Sequence, residues 1–592
     1  MILQALVDYY DALAKKGEIC QAGWTKANVS FALNISQSGE LLNVIPLKEK
    51  GKRGKKEVEV PQQLKVPEQV KKSSGITSNF LCENSGYFLG FDEKGKPERT
   101  KQCFECSAKL HTDILSECSS PIAEGIINYF KTWEPLDARN NSLLIPYLEE
   151  FNGANFIFLL KGVYAQDDID IQAYWQQYRE KNSQGVKMQC LVTGKNSVIA
   201  RLHPAIKGVK GAQSSGASLV SFNALAYESY GYNDAQGLNA PVSEYAAFAY
   251  GTVLNHLLAD RQHKQLLGDT TVVYWVESAE PQYQDFFNIV AFGDGYEIRD
   301  ADLNSIFGNI AQGKTVDWEQ VKLQPDNNFY ILGLSPNAAR VSVRFFLQGT
   351  YGEIIRHLHE HYERLEISRP SWDEVRYLSV WRLLQATVNK KAQDSASSPL
   401  LSGAVMRAIL TGGKYPIGLL QGVMLRIRAE QDDSEKGIYK ITRDRAAIIK
   451  AILIRNYNEK EVTTVAVNEG SRDVAYVLGR LFSVLEAVQQ KANPDLNMTI
   501  KDKYFNSACA TPAGIFTILL KLTNHHLRKL DKKFAVYFEK QITELQDKID
   551  MSEHPLPVHM GLEDQGKFIL GYYHQTQKRY TKKEDKDNDG ND

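Results

Sequence analysis

The stretch VAYVLGRLFSVLEAV, residues 474–488, decides how the last third of this 592-residue chain folds. Apolar residues recur there every three or four positions, and they are Val474, Val477, Leu478, Leu481, Phe482, Leu485 and Val488. This period keeps one side of a helix apolar for about four turns. Such a helix is stable only when that side packs against other helices, so the stretch predicts a helical bundle.

Similar helical patterns flank the stretch, and they begin after a polar, serine-rich segment at residues 389–399. We therefore predict an all-α bundle over residues 400–578, preceded by a linker at 389–399. The charged residues 579–592 are expected to form a disordered tail. Within residues 1–388, strand-like runs such as NFIFLL and TVVYWVES are mixed with helical segments. The predicted fold class is α+β, with a mixed strand and helix N-terminal domain and an all-α helical C-terminal domain.

Near the amino terminus the sequence predicts a β-hairpin. Val29, Phe31, Leu33 and Ile35 alternate with other residues along one strand, QSGE provides a turn, and LLNVIPL returns. The segment that follows, residues 48–72, holds nine basic residues against four acidic ones and no aromatic residue. We interpret it as a basic loop leaving the hairpin, which is either a solvated excursion or a surface that contacts nucleic acid.

Composition narrows the class of protein. The chain carries 70 basic and 71 acidic side chains, so any nucleic-acid contact must be local or shared with more basic partners. No apolar run approaches the ~20 residues of a membrane span, and acidic residues stand where a signal peptide would be basic. Seven scattered cysteines fit free thiols in a reducing compartment, so we expect a cytoplasmic protein without membrane attachment.

Two groups of residues have spacings that resemble metal sites. The first group is Cys103, Cys106, His111 and Cys118. Its spacing approximates a small zinc knuckle, but helical periodicity across the segment would spread these side chains over different turns. The second group is His357 and His361, four residues apart on one helix face and without an identifiable third ligand. A metal-dependent nuclease or hydrolase using either group is the alternative interpretation, whereas our first expectation includes no metal and no other cofactor.

A basic, glycine-rich strip occupies residues 201–231. A P-loop needs a lysine and a serine or threonine straight after its last glycine, whereas Gly216 is followed by Ala217 and Ser218. The interpretation as an NTPase therefore fails. Lys207 and Lys210 stand among glycines that would let backbone amides approach an anion, and the alternative is an ordinary structural loop.

Three stretches carry a resemblance to a known family. They are KKSSGITSNFLCENSGYFLGF (71–91), VTGKNSVIARLHPAIKGVKGAQSSGASLVSFNALAYESYG (192–231) and YVLGRLFSVLEAVQQKANPDLNMTIKDKYFNSACATPAGIFTILLKL (476–522). Together they are similar to the large subunit of the type I-C CRISPR surveillance complex, Cascade. The resemblance covers essentially the whole chain.

The resemblance implies a non-catalytic subunit that acts in antiviral defence. In such complexes a CRISPR guide RNA, held mainly by other subunits, reads the target by base pairing. The large subunit recognises a short adjacent motif, the PAM, in double-stranded DNA and helps to open the duplex into an R-loop. Implied partners are the target DNA, the backbone and RNA-handle-binding subunits, and a recruited helicase-nuclease.

In this family the C-terminal region can also be translated separately from an internal start, which supplies small subunits to the same complex. Here Met498 lies too far along the chain to include the helix at residues 474–488. A non-Met start near residues 462–467 fits better.

The resemblance also directs the choice of contact residues. We expect six basic residues to contact DNA phosphates, and they are Lys52, Arg53, Lys55, Lys56, Lys207 and Lys210. The residues expected to read bases at the PAM are Lys72, Ser73, Asn79 and Asn84. The residues expected to contact the displaced strand are Arg472, Arg480 and Arg528. Two alternatives stay open, since the asparagines fit equally well as turn caps and the arginines as ordinary residues of a bundle surface.

Overall fold

The structure is a computed structural model of the chain. It describes residues 1–53, 56–70, 75–92, 96–182, 185–222, 224–228, 235–260, 264–293, 301–389, 398–433, 435, 437–494, 496, 498–550 and 555–588. The chain forms two compact units. After the first two residues, the first unit comprises Leu3–Pro204 and Ser221–Val253, and the second comprises Ala205–Val220 and Leu254–Asp592.

This division differs from the predicted one, which placed a boundary at residues 389–399. In the second unit one hydrophobic core extends from Leu267 to Tyr573, and it contains both the strand residue Ile331 and the bundle residue Leu481. Strands and bundle helices bury their apolar sides in this shared core, and for that reason they belong to one compact unit. Residues 390–397 of the predicted linker lie outside the described residues.

The first unit combines short strands with helices. Its helices are α1 (Ile2–Lys16), α2 (Ser85–Phe88), α3 (Pro97–Leu115), α4 (Pro121–Thr132) and α5 (Ile169–Asn182). Its strands are β1 (Trp24–Val29), β2 (Phe31–Ile35), β3 (Leu41–Pro46), β4 (Lys48–Arg53), β5 (Lys56–Pro67), β6 (Glu83–Asn84), β7 (Asn155–Leu160), β8 (Val163–Tyr164), β9 (Lys187–Gln189) and β10 (Asn196–Val198). The 3₁₀ helices are Pro135–Asn140, Ile145–Phe151, Ala165–Asp167, Leu225–Tyr227 and Gln236–Asn239.

The main sheet of this unit has the strand order β3-β2-β7-β6, with β8 paired to β7. Strands β2 and β3 form the predicted hairpin, and the N–H of Ser36 donates to the carbonyl of Glu40 at 2.9 Å across the turn. Strand β2 pairs in parallel with β7, which sets Phe31 opposite Phe156. Their stacked rings, with centroids 5.3 Å apart, lie in the core of this unit.

The basic segment is a β-ribbon and not the predicted loop. Strand β4 pairs antiparallel with the first half of β5, whose second half pairs with β1. Val58 and Val60 alternate with charged residues, and this period of two is the pattern of a strand. The strand was not predicted because the many charged residues of the segment were interpreted as the composition of a loop. Residues 54–55, between the two strands, lie outside the described residues.

The second unit is built on a six-stranded sheet with the order β11-β12-β18-β17-β14-β13. Strand β12 pairs in parallel with β18, and the other pairs are antiparallel. The strands are β11 (Ala205–Ile206), β12 (Ala217–Ser218), β13 (Lys264–Leu267), β14 (Thr270–Val276), β17 (Asn328–Asn337) and β18 (Arg340–Thr350), with a separate hairpin of β15 (Val316–Trp318) and β16 (Val321–Leu323).

The chain enters this unit for the second time within α6 (Glu244–Ala259). The next helices are α7 (Pro281–Phe292), α8 (Ala301–Ala311), α9 (Tyr351–Leu365) and α10 (Val380–Gln385). The bundle helices are α11 (Pro399–Leu410), α12 (Ile417–Ala429), α13 (Arg443–Tyr457), α14 (Val474–Ala492), α15 (Ile500–Ala510), α16 (Pro512–Leu527), α17 (Lys532–Gln546) and α18 (Leu562–Asn588). The predicted α+β class is confirmed.

Helix α14 contains the stretch that predicted the bundle. All of its residues from Ala475 to Val488 are buried, so the helix is covered on every side. Its closest approach is to α18, where a Cβ added at Gly479 would lie 1.9 Å from the carbonyl oxygen of Phe568 and one at Gly571 would lie 2.1 Å from that of Tyr476. These glycines therefore set the spacing of the two helices, because any larger residue would push them apart.

Helix α18 extends beyond Arg579, where the sequence analysis expected the tail to become disordered. Its assigned end at Asn588 leaves residues 589–592 outside the described part of the chain. Across the described residues, we find no helix whose length and apolar character would let it cross a membrane.

Candidate nucleic-acid interface

Side-chain hydrogen bonds shape the loop that precedes α2. Asn79 is buried, and its amide oxygen accepts from the N–H of Val70 at 2.7 Å while its amide nitrogen donates to Oε1 of Glu83 at 3.0 Å. The second oxygen of Glu83 accepts from the N–H of Asn84 at 2.9 Å. Asn84 in turn caps α2 by accepting from the N–H of Gly86 at 3.0 Å. These are the contacts of turn caps, so both asparagines hold the loop in shape.

His111 on α3 forms a hydrogen bond that holds the same loop in place. Its Nε2 accepts from the N–H of Leu81 at 3.0 Å, and its Nδ1 donates to the carbonyl of Ser107 at 2.7 Å. Leu81 has a φ of +56°, a left-handed conformation that costs energy in a residue other than glycine. Burial lowers the pKa of His111 to about 4, so the ring is neutral at physiological pH. A neutral, oriented imidazole thus stabilises the strained backbone of the loop.

In the predicted zinc group, Cys103, His111 and Cys118 are buried in the first unit and Cys106 is half-buried. Both ring nitrogens of His111 already have hydrogen-bond partners, and the thiol of Cys106 donates to the carbonyl of Ile76 at 3.8 Å. Cys103 and Cys118 are buried among apolar side chains. All seven cysteines lie within the described residues, and none of them forms a disulfide there.

The two histidines of the second predicted metal pair have different hydrogen-bond partners. Nδ1 of His357 donates to the carbonyl of Leu410 at 2.8 Å, whereas Nδ1 of His361 lies 2.6 Å from the hydroxyl of Tyr415. Burial lowers the pKa of His361 to about 3. Within the described ranges, no group of three or more His, Cys, Asp or Glu side chains is arranged to hold a metal ion. Neither predicted group therefore supports the interpretation as a metal-dependent hydrolase.

The part of the glycine-rich strip that belongs to the second unit, Ala205–Val220, is held there by hydrogen bonds of its backbone. The N–H of Lys207 donates to Oδ1 of Asn255 at 2.7 Å, and the N–H of Lys210 donates to Oγ1 of Thr271 at 3.1 Å. Gly208 has a φ of +87°, and a Cβ there would lie 3.1 Å from the carbonyl oxygen of Leu258. That glycine is required by close backbone packing. Since the lysine side chains are exposed, the strip presents two cations from a fixed backbone.

The second unit also contains a cleft of about 970 Å³ bordered by α14, α17 and α18. Its basic lining residues are Arg472, Arg480, Lys491, Lys540, Lys548, Lys578 and Arg579. Its acidic lining residues are Glu469, Glu544 and Asp547. We call this surface the basic cleft. Because cations outnumber carboxylates there while the whole chain is nearly neutral, the basic cleft favours an anionic ligand.

Aromatic rings accompany these cations. Tyr537 on α17 and Tyr580 on α18 line the basic cleft and are 53% and 62% exposed. Lys491 places its Nζ 4.5 Å from the ring centroid of the neighbouring Phe534. Exposed rings beside cations suit a single nucleic-acid strand, whose bases stack on aromatic side chains while its phosphates meet positive charge.

The basic cleft brings together two of the three predicted arginines. Arg480 is buried, with its Nε donating to Oε1 of Gln575 and its Nη1 to the carbonyl of Asn468, each at 3.0 Å. Arg472 is exposed at the edge of the cleft. Arg528, also exposed, follows α16 and is not a lining residue. Arg480 therefore stabilises the wall of the cleft, and Arg472 is the one of these two lining arginines whose side chain is exposed to a ligand.

The contribution of α17 to the basic cleft was not predicted from the sequence. Tyr537 and Lys540 lie on this helix and Lys548 follows its end at Gln546. The buried side of the helix is formed by Phe538, Ile542 and Leu545. A polar and aromatic stripe at helical spacing was the available signal. It did not indicate which other helices would supply the remaining cations.

The phosphate contacts chosen at residues 52, 53 and 56 lie on the paired strands β4 and β5 of the basic ribbon. Its register sets Lys52 opposite Glu57 and Arg53 opposite Lys56. At the base of the ribbon, Lys48 pairs with Glu150 at 2.6 Å, so part of the positive charge is neutralised. The chosen residues Lys55, Lys72 and Ser73 lie outside the described residues.

The family model described as CRISPR-associated protein (Cas_Csd1) matches residues 6–580. Comparison with curated proteins gives no match. The matched range includes the loop before α2, the glycine-rich strip and the basic cleft.

Proposed function

The chain belongs to the Cas_Csd1 family of CRISPR-associated proteins, and from that premise we propose that it is the non-catalytic large subunit of a type I-C Cascade complex. In this proposal it recognises the PAM in double-stranded DNA, helps to open the duplex, stabilises the R-loop and supports recruitment of a helicase-nuclease. It acts in the cytoplasm in antiviral defence.

The observation that carries the proposal is the basic cleft. A displaced DNA strand has free bases and a charged backbone, and the cleft offers both exposed tyrosines and an excess of cations. Tyr537 and Tyr580 are the proposed stacking residues, with Arg472, Lys540 and Lys548 as the proposed phosphate contacts. Arg480 holds the cleft together, and Arg528 remains a more distant candidate for the same strand.

Duplex DNA requires a different surface. We assign phosphate contacts to Lys207 and Lys210 on the glycine-rich strip and to Lys52, Arg53, Lys55 and Lys56 on the basic ribbon. Contacts of this kind position the duplex without reading its sequence, and they weaken as salt rises. A near-neutral subunit needs such cations only where DNA passes, since the guide RNA is held mainly by other subunits.

PAM reading is assigned to the region around the loop before α2. Lys72 and Ser73 are proposed to reach base edges, because side chains with donors and acceptors discriminate bases in the grooves. Asn79 and Asn84, the other two candidates, would act by fixing the loop, since their described hydrogen bonds are internal to it.

The proposed partners are the backbone and RNA-handle-binding Cascade subunits, the guide RNA and the helicase-nuclease. The bundle region is also the proposed source of a small subunit translated from an internal start near residues 462–467.

The proposal is tested with guide-loaded complexes assembled with and without this chain. Each is mixed with guide-matched duplexes whose flanking bases are randomised, and the bound fraction is sequenced. A PAM-reading subunit enriches one short flanking sequence when it is present. Equal recovery of all flanks by both complexes would overturn the proposed PAM recognition.

A further inference from the structure

A second groove lies in the same unit, away from the basic cleft. It has a volume of about 580 Å³ and runs between strand β18 and helix α11. From the helix it is lined by Leu400, Gly403, Ala404 and Arg407, which recur at helical spacing along one side. We call it the α11 groove.

The charge of the α11 groove has one sign. Its charged lining residues are Arg344, Arg407 and Lys414, and no Asp or Glu is among the residues that line it. Arg344 pairs with Asp269 at 3.2 Å, and Arg407 donates to the carbonyl of Arg344 at 3.2 Å. Lys414 is exposed. Arg407 and Lys414 therefore offer positive charge that is not balanced by a carboxylate in the groove.

The rest of the lining is apolar or small. Leu400 is 73% exposed, and a Cβ added at Gly403 would have nothing within 4 Å. The small side chains of Gly403 and Ala404 leave room for another backbone to approach closely. Nucleic-acid interfaces are more polar and more strongly charged than this, whereas amphipathic helices dock in apolar grooves with charges at the edge.

We propose that the α11 groove binds an acidic amphipathic helix of a partner protein. The apolar side of that helix covers Leu400 and the small residues, and its carboxylates meet Arg407 and Lys414. The proposed DNA contacts do not include any residue that lines this groove.

The test uses the full chain and a labelled helical peptide of about 18 residues, built from Leu, Ala and Glu with leucines along one side. Its affinity is measured by fluorescence anisotropy for wild type and for the double variant Arg407→Glu/Lys414→Glu. We expect the double variant to bind at least about tenfold more weakly, because two attractive charges become repulsive. The matched control Lys521→Glu changes an exposed lysine on α16 and should leave peptide affinity unchanged.

A second pair of variants tests the shape of the groove. Gly403→Trp fills it and should abolish peptide binding, whereas Gly403→Ala, which is well tolerated in a helix, should preserve it. Each variant is checked for wild-type unfolding temperature.

Three outcomes would overturn the proposal. The first is peptide binding that survives both the charge reversal and Gly403→Trp. The second is a response confined to a labelled oligonucleotide of about 18 nucleotides, which would make the groove a nucleic-acid site. The third is self-association of the wild type that is lost in Gly403→Trp, which would assign the groove to a second copy of this chain.

Discussion

Nε of Arg480 donates a hydrogen bond to Oε1 of Gln575 at 3.0 Å, and this contact joins α14 to α18 beneath the basic cleft. Arg480 is only 4% exposed, so its guanidinium belongs to the interior of the bundle. An arginine that looked suited to DNA in the sequence thus has a structural role, and the exposed cations around it are left to contact a ligand.

This difference between neighbouring arginines gives the first prediction. Arg480→Ala leaves Gln575 and the carbonyl of Asn468 without their partner, which should destabilise the chain by about 2 kcal/mol or more. Arg472→Ala changes an exposed residue and should leave the free energy of unfolding unchanged. Chemical denaturation of both variants measures the contrast. Wild-type stability of Arg480→Ala combined with weaker DNA binding would instead show a direct DNA contact.

Lys540 and Lys548 should set the salt dependence of single-strand binding. If each neutralises one phosphate, Lys540→Ala/Lys548→Ala should make the slope of log affinity against log salt less steep by about 1.4. The measurement is anisotropy of a labelled oligonucleotide with the full chain at several salt concentrations. Lys521→Ala, at an exposed position of α16, is the matched control and should keep the wild-type slope. A double variant with an unchanged slope would place the strand elsewhere.

The basic ribbon should act on duplex DNA in the assembled complex. Replacing Lys52, Arg53, Lys55 and Lys56 by alanine should weaken duplex binding and flatten its salt dependence, because up to four phosphate contacts are lost. The ribbon backbone should still form, since its pairing uses main-chain groups. Duplex binding curves of the wild-type and variant complexes at several salt concentrations test this assignment. Variant curves that superimpose on those of wild type at every concentration would contradict it.

Acid should loosen the loop before α2 through His111. Burial lowers the pKa of His111 to about 4, below the value of about 6.5 expected when the chain is unfolded. Between these values the unfolded state binds the extra proton, so stability is complete above about pH 6.5 and falls as the pH drops toward 4, by about 3 kcal/mol from this group.

Unfolding of wild type and His111→Gln at several pH values between 4 and 7 measures this contribution. The variant should be less stable at pH 7 and should lose less stability on acidification. His203, His361 and His574, whose pKa values burial also lowers, are present in both proteins and so cancel in the comparison. Parallel pH profiles would show that His111 does not titrate in this way.

The sequence was most informative where one side of an element carries one kind of residue. The bundle helix that begins at Val474 and the hairpin that begins at Phe31 were both predicted, because apolar residues recur in them at the regular spacing of a helix and of a strand. The basic ribbon was missed because charged residues occupy positions around Val58 and Val60. Composition alone does not separate a charged strand from a charged loop.

The candidate site was harder to predict, since it depends on which helices meet. Arg472 lines the basic cleft, but Tyr537 and Lys540, which line it too, are more than sixty residues further along the chain. Only the packing of α14 against α17 and α18 brings them together. Burial decided the roles of Arg480 and Asn79, and a sequence pattern does not reveal whether a polar side chain is buried.

The most direct test of the central claim compares two forms of the same target. Guide-loaded complex is assembled with and without this chain, and affinity is measured for a PAM-containing duplex and for the single strand complementary to the guide. If this chain recognises and opens duplex DNA, omitting it should reduce duplex affinity by about a hundredfold and leave single-strand affinity nearly unchanged. Equal affinities of the two complexes for the duplex would contradict the account.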